Sequence, residues 1–174
     1  MKKFITLNKY GELYIDKILF ETYFPIIFTC KNENNDIFIC VCCQCNENGC
    51  KWLVGRTNGS FIVRMLQNEI TIRQLLLDCC TEKISVDYKN QEYAIAYNNS
   101  DWNEESDYLP KKDAYIDAEG GEFDEEIAYF TSIEHVEYNE EYYKIIIKEL
   151  STIGNTIDPL LDSITALSSI IGTI

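Results

Sequence analysis

Apolar and polar positions alternate along most of the first half of the chain. The alternation predicts β-strands over residues 12–20, 26–31, 37–45 and 50–55. The last two runs flank Asn46-Glu47-Asn48-Gly49, whose Asn-Gly step tolerates positive φ and predicts a hairpin. An antiparallel β-meander is the expected result.

Helical spacing replaces this alternation after residue 59. Apolar side chains from Phe61 to Leu66 predict a short helix, with Asn58 or Ser60 as its N-cap. Thr71-Ile72-Arg73-Gln74 fits a capping box and predicts a second short helix. Short helices are therefore expected after the fourth strand.

A second hairpin over 84–88 and 92–97 completes a β-rich α+β unit, which we place at residues 1–97. Residues 98–126 follow without a sustained period and predict an acidic loop, exposed or partly disordered. Aromatic and apolar residues interrupt this loop, and they favour either anchors to the domain or a surface kept for a partner. They are Tyr108, Leu109, Tyr115, Ile116 and Phe123.

The C-terminal part, residues 127–174, predicts one strand and two helices within a single domain of 174 residues. The strand is expected over 127–136 and the first helix over 140–150. Asp158 as N-cap and Pro159 at the first helical position begin the last helix. Its apolar stripe predicts packing on the sheet or on a partner, and the partner-binding candidates on it are Leu160, Ile164, Leu167 and Ile171.

Charge narrows the classes of partner. The net charge is −14, and residues 101–126 alone hold eleven acidic residues against two lysines. Such a field repels phosphate backbones and attracts basic proteins, so direct nucleic-acid binding is not expected. The candidate partner-binding acids are Asp117, Glu119, Glu122, Asp124, Glu125 and Glu126.

The eight cysteines predict packing more than chemistry. No signal peptide is evident, so a cytoplasmic location and reduced thiols are expected, and reduced cysteine packs as a small hydrophobic residue. No cofactor is therefore expected. Zinc stays open as an alternative, with Cys42, Cys45, Cys50 and Cys79 as its ligands. Cys–His catalysis with His135, the single histidine, is a further alternative.

One resemblance concerns residues 10–80. Tyr23-Phe24-Pro25-Ile26-Ile27-Phe28, the strand through Phe38, Lys51-Trp52-Leu53-Val54 and Ile70-Thr71-Ile72-Arg73 resemble a bacterial domain family without an assigned activity. The resemblance implies a small cytoplasmic protein of mobile or defence-related gene sets. Its motifs define a fold and supply no catalytic residue.

The sequence thus favours a non-enzymatic, cytoplasmic protein-binding module, which modulates a toxin or a defence protein through an acidic surface. A metal site or thiol enzyme on the 40–50 hairpin is one alternative. The other is a structural subunit that forms a homo-oligomer through the C-terminal helix. A membrane partner is not expected, because the terminal stripe is too short and lacks basic residues.

Overall fold

Each strand of the protein pairs with the strand that follows it in the chain. The computed structural model describes residues 2–116 and 120–133, which belong to a unit spanning Met1–Glu134. Within them, seven antiparallel strands form one sheet in chain order, nearly closed into a barrel. The strands are β1 (Lys3–Leu7), β2 (Gly11–Glu21), β3 (Pro25–Lys31), β4 (Ile37–Asn46), β5 (Gly49–Thr57), β6 (Glu82–Lys89) and β7 (Glu92–Tyr97).

Short helices accompany the sheet and give an α+β architecture in which the sheet dominates. Helices α1 (Gly59–Leu66) and α2 (Ile72–Asp78) lie between β5 and β6. A 3-10 helix, Ser100–Trp102, and helix α3, residues 124–133, follow β7. Within the described ranges, no helix is long and apolar enough to cross a membrane.

Side-chain caps fix where the first two helices begin. The Asn58 side chain accepts a hydrogen bond from the Phe61 amide at 3.1 Å. Thr71 accepts from the Gln74 amide at 3.1 Å, and the Gln74 side chain accepts from the Thr71 amide at 2.9 Å. The predicted cap and capping box are therefore both confirmed.

The sheet has two apolar faces, because side chains alternate along each strand. The inner face, which the curl of the sheet encloses, is built from strand residues. Its buried members are Ile5, Leu7, Leu13, Phe28, Cys30, Phe38, Cys40, Trp52, Val54, Ile84 and Val86. Trp52, in the returning strand of the hairpin, is thus part of the core.

The outer face carries the helices and the segment after β7. Its strands contribute Ile27, Ile39 and Leu53, and α1 and α2 contribute Ile62 and Leu75. From the later part of the chain come Trp102, Leu109, Phe123 and Phe130. This face therefore depends on covering segments that are distant in sequence.

The sequence pattern misses one element and assigns another wrongly. Strand β1 was not expected, so the short helices follow the fifth strand rather than the fourth. Residues 127–133, predicted as the first part of a strand, belong to helix α3. Phe123, Ile127 and Phe130 recur at helical spacing on the outer face, and this periodicity overrides the local apolar run.

Several predictions lie outside the described residues. These are the remainder of the 127–136 strand and the helices over 140–150 and 158–174. The single-domain organisation of the whole chain likewise stays a prediction.

Candidate functional site

A groove opens on the outer face between the end of β4 and the segment 98–116. Its apolar compartment has a volume of about 340 Å³. The lining residues are Phe20, Ile26, Ile27, Val41, Cys42, Cys43, Ile72, Asp107, Tyr108, Leu109, Pro110, Tyr115 and Ile116. Strands β2, β3 and β4, helix α2 and the segment 98–116 therefore all contribute to one concave surface.

The segment 98–116 is held firmly although it is irregular. Arg73 of α2 donates to the Pro110 carbonyl at 2.9 Å, and the Ile72 amide donates to the Ala114 carbonyl at 3.0 Å. Trp102 and Leu109 are buried against the outer face. Residues 98–116 thus differ from the expected exposed loop, and Leu109 has the anchoring role that was one of the two expected for the apolar residues of this segment. Such anchors offset the cost of ordering an acidic segment.

Exposed aromatic residues border the apolar compartment. Phe20 and Tyr115 keep 49% and 46% of their surface accessible, although both line the groove. Ile27, Val41 and Leu109 are buried beneath. An apolar floor with accessible aromatic side chains is typical of a surface that binds a partner.

A polar compartment of about 600 Å³ adjoins the apolar one, and both are lined by Cys43, Asp107 and Tyr108. It also contains Glu105, and both Glu105 and Asp107 are exposed. Neither carboxylate forms an ion pair with any residue in the described part of the chain. This half of the groove therefore offers negative charge to a ligand.

The wall of the polar compartment rests on the nearly buried Lys51. Its Nζ lies 2.7 Å from Asp101 Oδ2 and 3.0 Å from Asp87 Oδ2. The same Nζ lies 4.6 Å from the ring centroid of Tyr108. One lysine thus serves two carboxylates and an aromatic ring, which fixes the wall and leaves it negatively charged.

The pKa values of Asp101 and Lys51 shift in opposite directions. Burial alone raises the pKa of Asp101, but the hydrogen bond from Lys51 and its positive charge outweigh burial and lower the pKa. Burial alone lowers the pKa of Lys51, and the hydrogen bonds to Asp101 and Asp87 reverse this and raise it. Both groups are therefore charged at neutral pH.

Cys43, which lines both compartments, is a poor nucleophile. Burial raises its pKa to about 12, so the thiol is protonated at neutral pH. His135, the base of the alternative thiol enzyme, lies outside the described residues. The groove thus provides contact surface rather than an activated sulfur.

No protein-family model matches the chain, and neither a curated protein nor a solved structure matches it. The resemblance over residues 10–80 therefore stays a prediction.

The alternative zinc ligands are not brought together. Cys45 and Cys50 face each other across β4 and β5 and are joined by a disulfide, contrary to the expectation of reduced thiols. Cys42 packs against the inner face, whereas Cys79 packs against the outer face. Over residues 2–116 and 120–133, no three His, Cys, Asp or Glu side chains are grouped for a metal ion.

The other cysteines support the packing interpretation. Cys30 and Cys40 are fully buried within the inner face, and Cys80 is buried within the outer face. Burial raises the pKa of Cys80 to about 12. These thiols fill space among apolar side chains.

Three of the predicted partner-binding acids, Asp124, Glu125 and Glu126, lie in the first turn of α3, and Glu122 precedes the helix; none of the four lines the groove. Glu122, Asp124 and Glu125 are exposed, and Glu126 is half-buried. Acidic residues in a first helical turn stabilise the helix, so Asp124, Glu125 and Glu126 have a structural role there. The remaining candidates, Asp117, Glu119, Leu160, Ile164, Leu167 and Ile171, lie outside the described residues.

Helix α3 is tied to the sheet by a polar cluster. The Tyr129 hydroxyl donates to Asp16 at 2.7 Å and accepts from Lys31 at 3.0 Å. Burial and the Asp16 hydrogen bond raise the pKa of Tyr129. The acids at the start of α3 therefore have a fixed place on the outer face.

Sequence reasoning did not identify the groove as a site. Its lining comes from segments near residues 20–27, 41–44, 72 and 100–116, which no local motif connects. The available signal was the run of aromatic and apolar residues inside the acidic segment.

Proposed function

We propose that the protein is a non-enzymatic binding module whose groove receives a segment of a partner protein. The segment carries a large apolar side chain next to a lysine or arginine. The observation that supports this proposal is the junction of the apolar and acidic compartments, which share Cys43, Asp107 and Tyr108. One ligand segment can contact both compartments.

The apolar compartment suits a side-chain anchor. Its volume of about 340 Å³ is at the small end of the range, roughly 300–1,000 Å³, found for ligand pockets. An apolar side chain that is desolvated in a pocket and surrounded by polar groups usually dominates the binding energy of an interface. Phe20, Tyr108 and Tyr115 would contribute the aromatic contacts.

The acidic compartment supplies the charge complementarity. Glu105 and Asp107 are available to a cation, whereas Asp101 is already paired with Lys51. The net charge of −14 adds a long-range attraction for basic partners. A basic toxin or defence protein is the class of partner that fits this charge and the resemblance over residues 10–80.

Selection of peptides from a random displayed library on the full chain tests this proposal. We expect the selected sequences to share an apolar residue adjacent to lysine or arginine, with affinity that falls as salt rises. Enrichment of acidic sequences, or no enrichment, would contradict the proposal.

Matched variants assign the charge contact. Glu105→Gln with Asp107→Asn is expected to weaken binding of a selected peptide about tenfold, because each lost contact to a charged group costs about 0.5–1 kcal/mol at an exposed site. Glu104→Gln with Asp113→Asn removes two exposed acids that do not line the groove and serves as the control with the same change of charge. Equal losses in both variants would show a general charge effect and refute the assignment.

A further inference from the structure

The strand β7 lies at an edge of the seven-stranded sheet and is regular along its length. It pairs with β6 without a break from Ile84↔Tyr97 to Lys89↔Glu92. Within 2–116 and 120–133, no other strand pairs with it. Among these described residues, the backbone groups on its far side are therefore left to pair with another strand.

The hairpin geometry identifies these groups. Asn90 and Gln91 form the two-residue turn, both with positive φ, so Lys89 and Glu92 are its closing hydrogen-bonded pair. Hydrogen-bonded and non-hydrogen-bonded pairs then alternate along the strand. The amide and carbonyl groups of Tyr93, Ile95 and Tyr97 thus point to the free edge.

The side chains of the same three residues continue the inner apolar face. They lie opposite Tyr88, Val86 and Ile84, which belong to that face. Tyr93 and Tyr97 nevertheless remain 47% and 37% exposed. The apolar face therefore extends to the last strand without full cover from the described residues.

The two edges of the sheet differ in how they are protected. Strand β1 begins with Lys3 and has an irregular register between Lys3 and Ile5, and both features discourage pairing with another chain. Strand β7 has neither a bulge nor a charged or proline residue between Tyr93 and Tyr97. This second edge is open to strand addition.

The sequence of this edge favours a particular partner. Tyr93-Ala94-Ile95-Ala96-Tyr97 reads the same in both directions. We infer that a second copy of the chain adds its β7 antiparallel to this one, about a two-fold axis at Ile95. Tyr93 then faces Tyr97 of the second copy, Ala94 faces Ala96, and Ile95 faces itself, which is the self-complementarity that a two-fold interface requires.

A pair of variants tests this register. In Ala94→Lys with Ala96→Lys, like charges face each other across the dimer, and we expect the dimer to weaken about tenfold. In Ala94→Lys with Ala96→Glu, opposite charges face each other, and the dimer is expected to form at least as well as in the wild type. Both positions are exposed, and Ala94 lies opposite Asp87, so the monomer tolerates the lysine.

The measurement is sedimentation velocity of the full chain over a concentration series. A wild-type chain that stays monomeric, or a dimer that is unchanged by the two lysines, would overturn the inference. Loss of the dimer in both variants would overturn the register.

Hydrogen exchange supplies a readout that does not depend on the variants. The amides of Tyr93, Ile95 and Tyr97 are expected to exchange slowly at high protein concentration and rapidly on dilution. Rapid exchange at every concentration would contradict the pairing.

Discussion

The two faces of the sheet are filled in different ways. On the inner face, strand residues pack against strand residues, and Phe28, Phe38 and Trp52 are buried there. On the outer face, helices and the segment 98–116 cover strands that are distant in sequence. The groove lies where this irregular cover meets β4. The groove has thus formed where the cover is supplied by an irregular segment and not by the sheet itself.

Buried polar side chains also distinguish the outer face of the sheet from the inner face. Thr29 and Ser85 are buried strand residues in register with Ile39 and Leu53, which belong to the outer face. Ser85 donates to the Asn99 side chain at 2.9 Å, at the start of the covering segment. Satisfied polar contacts therefore position the irregular segment, whereas apolar packing suffices for the inner face.

The largest expected effect belongs to the inner face. Phe38→Ala removes a fully buried ring that packs edge-on against Tyr10, with the ring centroids 5.2 Å apart. We expect the free energy of unfolding in urea to fall by about 3–5 kcal/mol. Tyr23→Ala, at a fully exposed ring, is the control and should change it by less than about 0.5 kcal/mol. Similar small effects at both positions would contradict the enclosed inner core.

The second-largest loss of stability is expected when the ion pairs that support the groove wall are removed. Lys51→Met leaves Asp87 and Asp101 without their shared cation, and we expect a loss of about 2–4 kcal/mol in urea unfolding. Lys112→Met changes an exposed lysine and is expected to stay within about 0.5 kcal/mol of the wild type. A loss no greater than that of the control would show that the wall does not depend on Lys51.

The loss of stability caused by Lys51→Met depends on pH. This dependence is smaller than the loss itself and has a definite sign. Because the pKa of Asp101 is lowered below its ordinary value of 3.8, the pair stabilises the protein above that pH. The stabilisation is lost as the pH falls through the lowered pKa. The difference in the free energy of unfolding between wild type and Lys51→Met should therefore be smaller at about pH 3 than at about pH 7. A difference in the free energy of unfolding that is larger in acid would contradict the lowered pKa of Asp101.

The sequence predicted the parts of the fold that local patterns control. Alternation located β2 to β7, and the caps at Asn58 and Thr71 located α1 and α2. Strand β1 is only five residues long and begins with a lysine, so its pattern was too weak to detect. In α3, a short apolar run fits a strand or a helix, and only burial against the outer face selects the helix.

Local sequence patterns could not predict the groove, and the reason is physical. Phe20, Val41 and Tyr115 become neighbours of one cavity only after the meander has formed and the segment 98–116 has folded over α2. Their spacing in sequence has no period. Composition suggested that the acidic segment matters for binding, and tertiary packing determined which of its residues line the surface.

The groove is the proposed binding site for the partner, and one titration tests this role most directly. A peptide selected on the full chain is titrated calorimetrically into Phe20→Ser and into Tyr23→Ser, which change two exposed aromatic residues of which only Phe20 lines the groove. We predict that Phe20→Ser raises the Kd about tenfold and that Tyr23→Ser leaves it within about twofold. Unchanged affinity in Phe20→Ser would contradict the account.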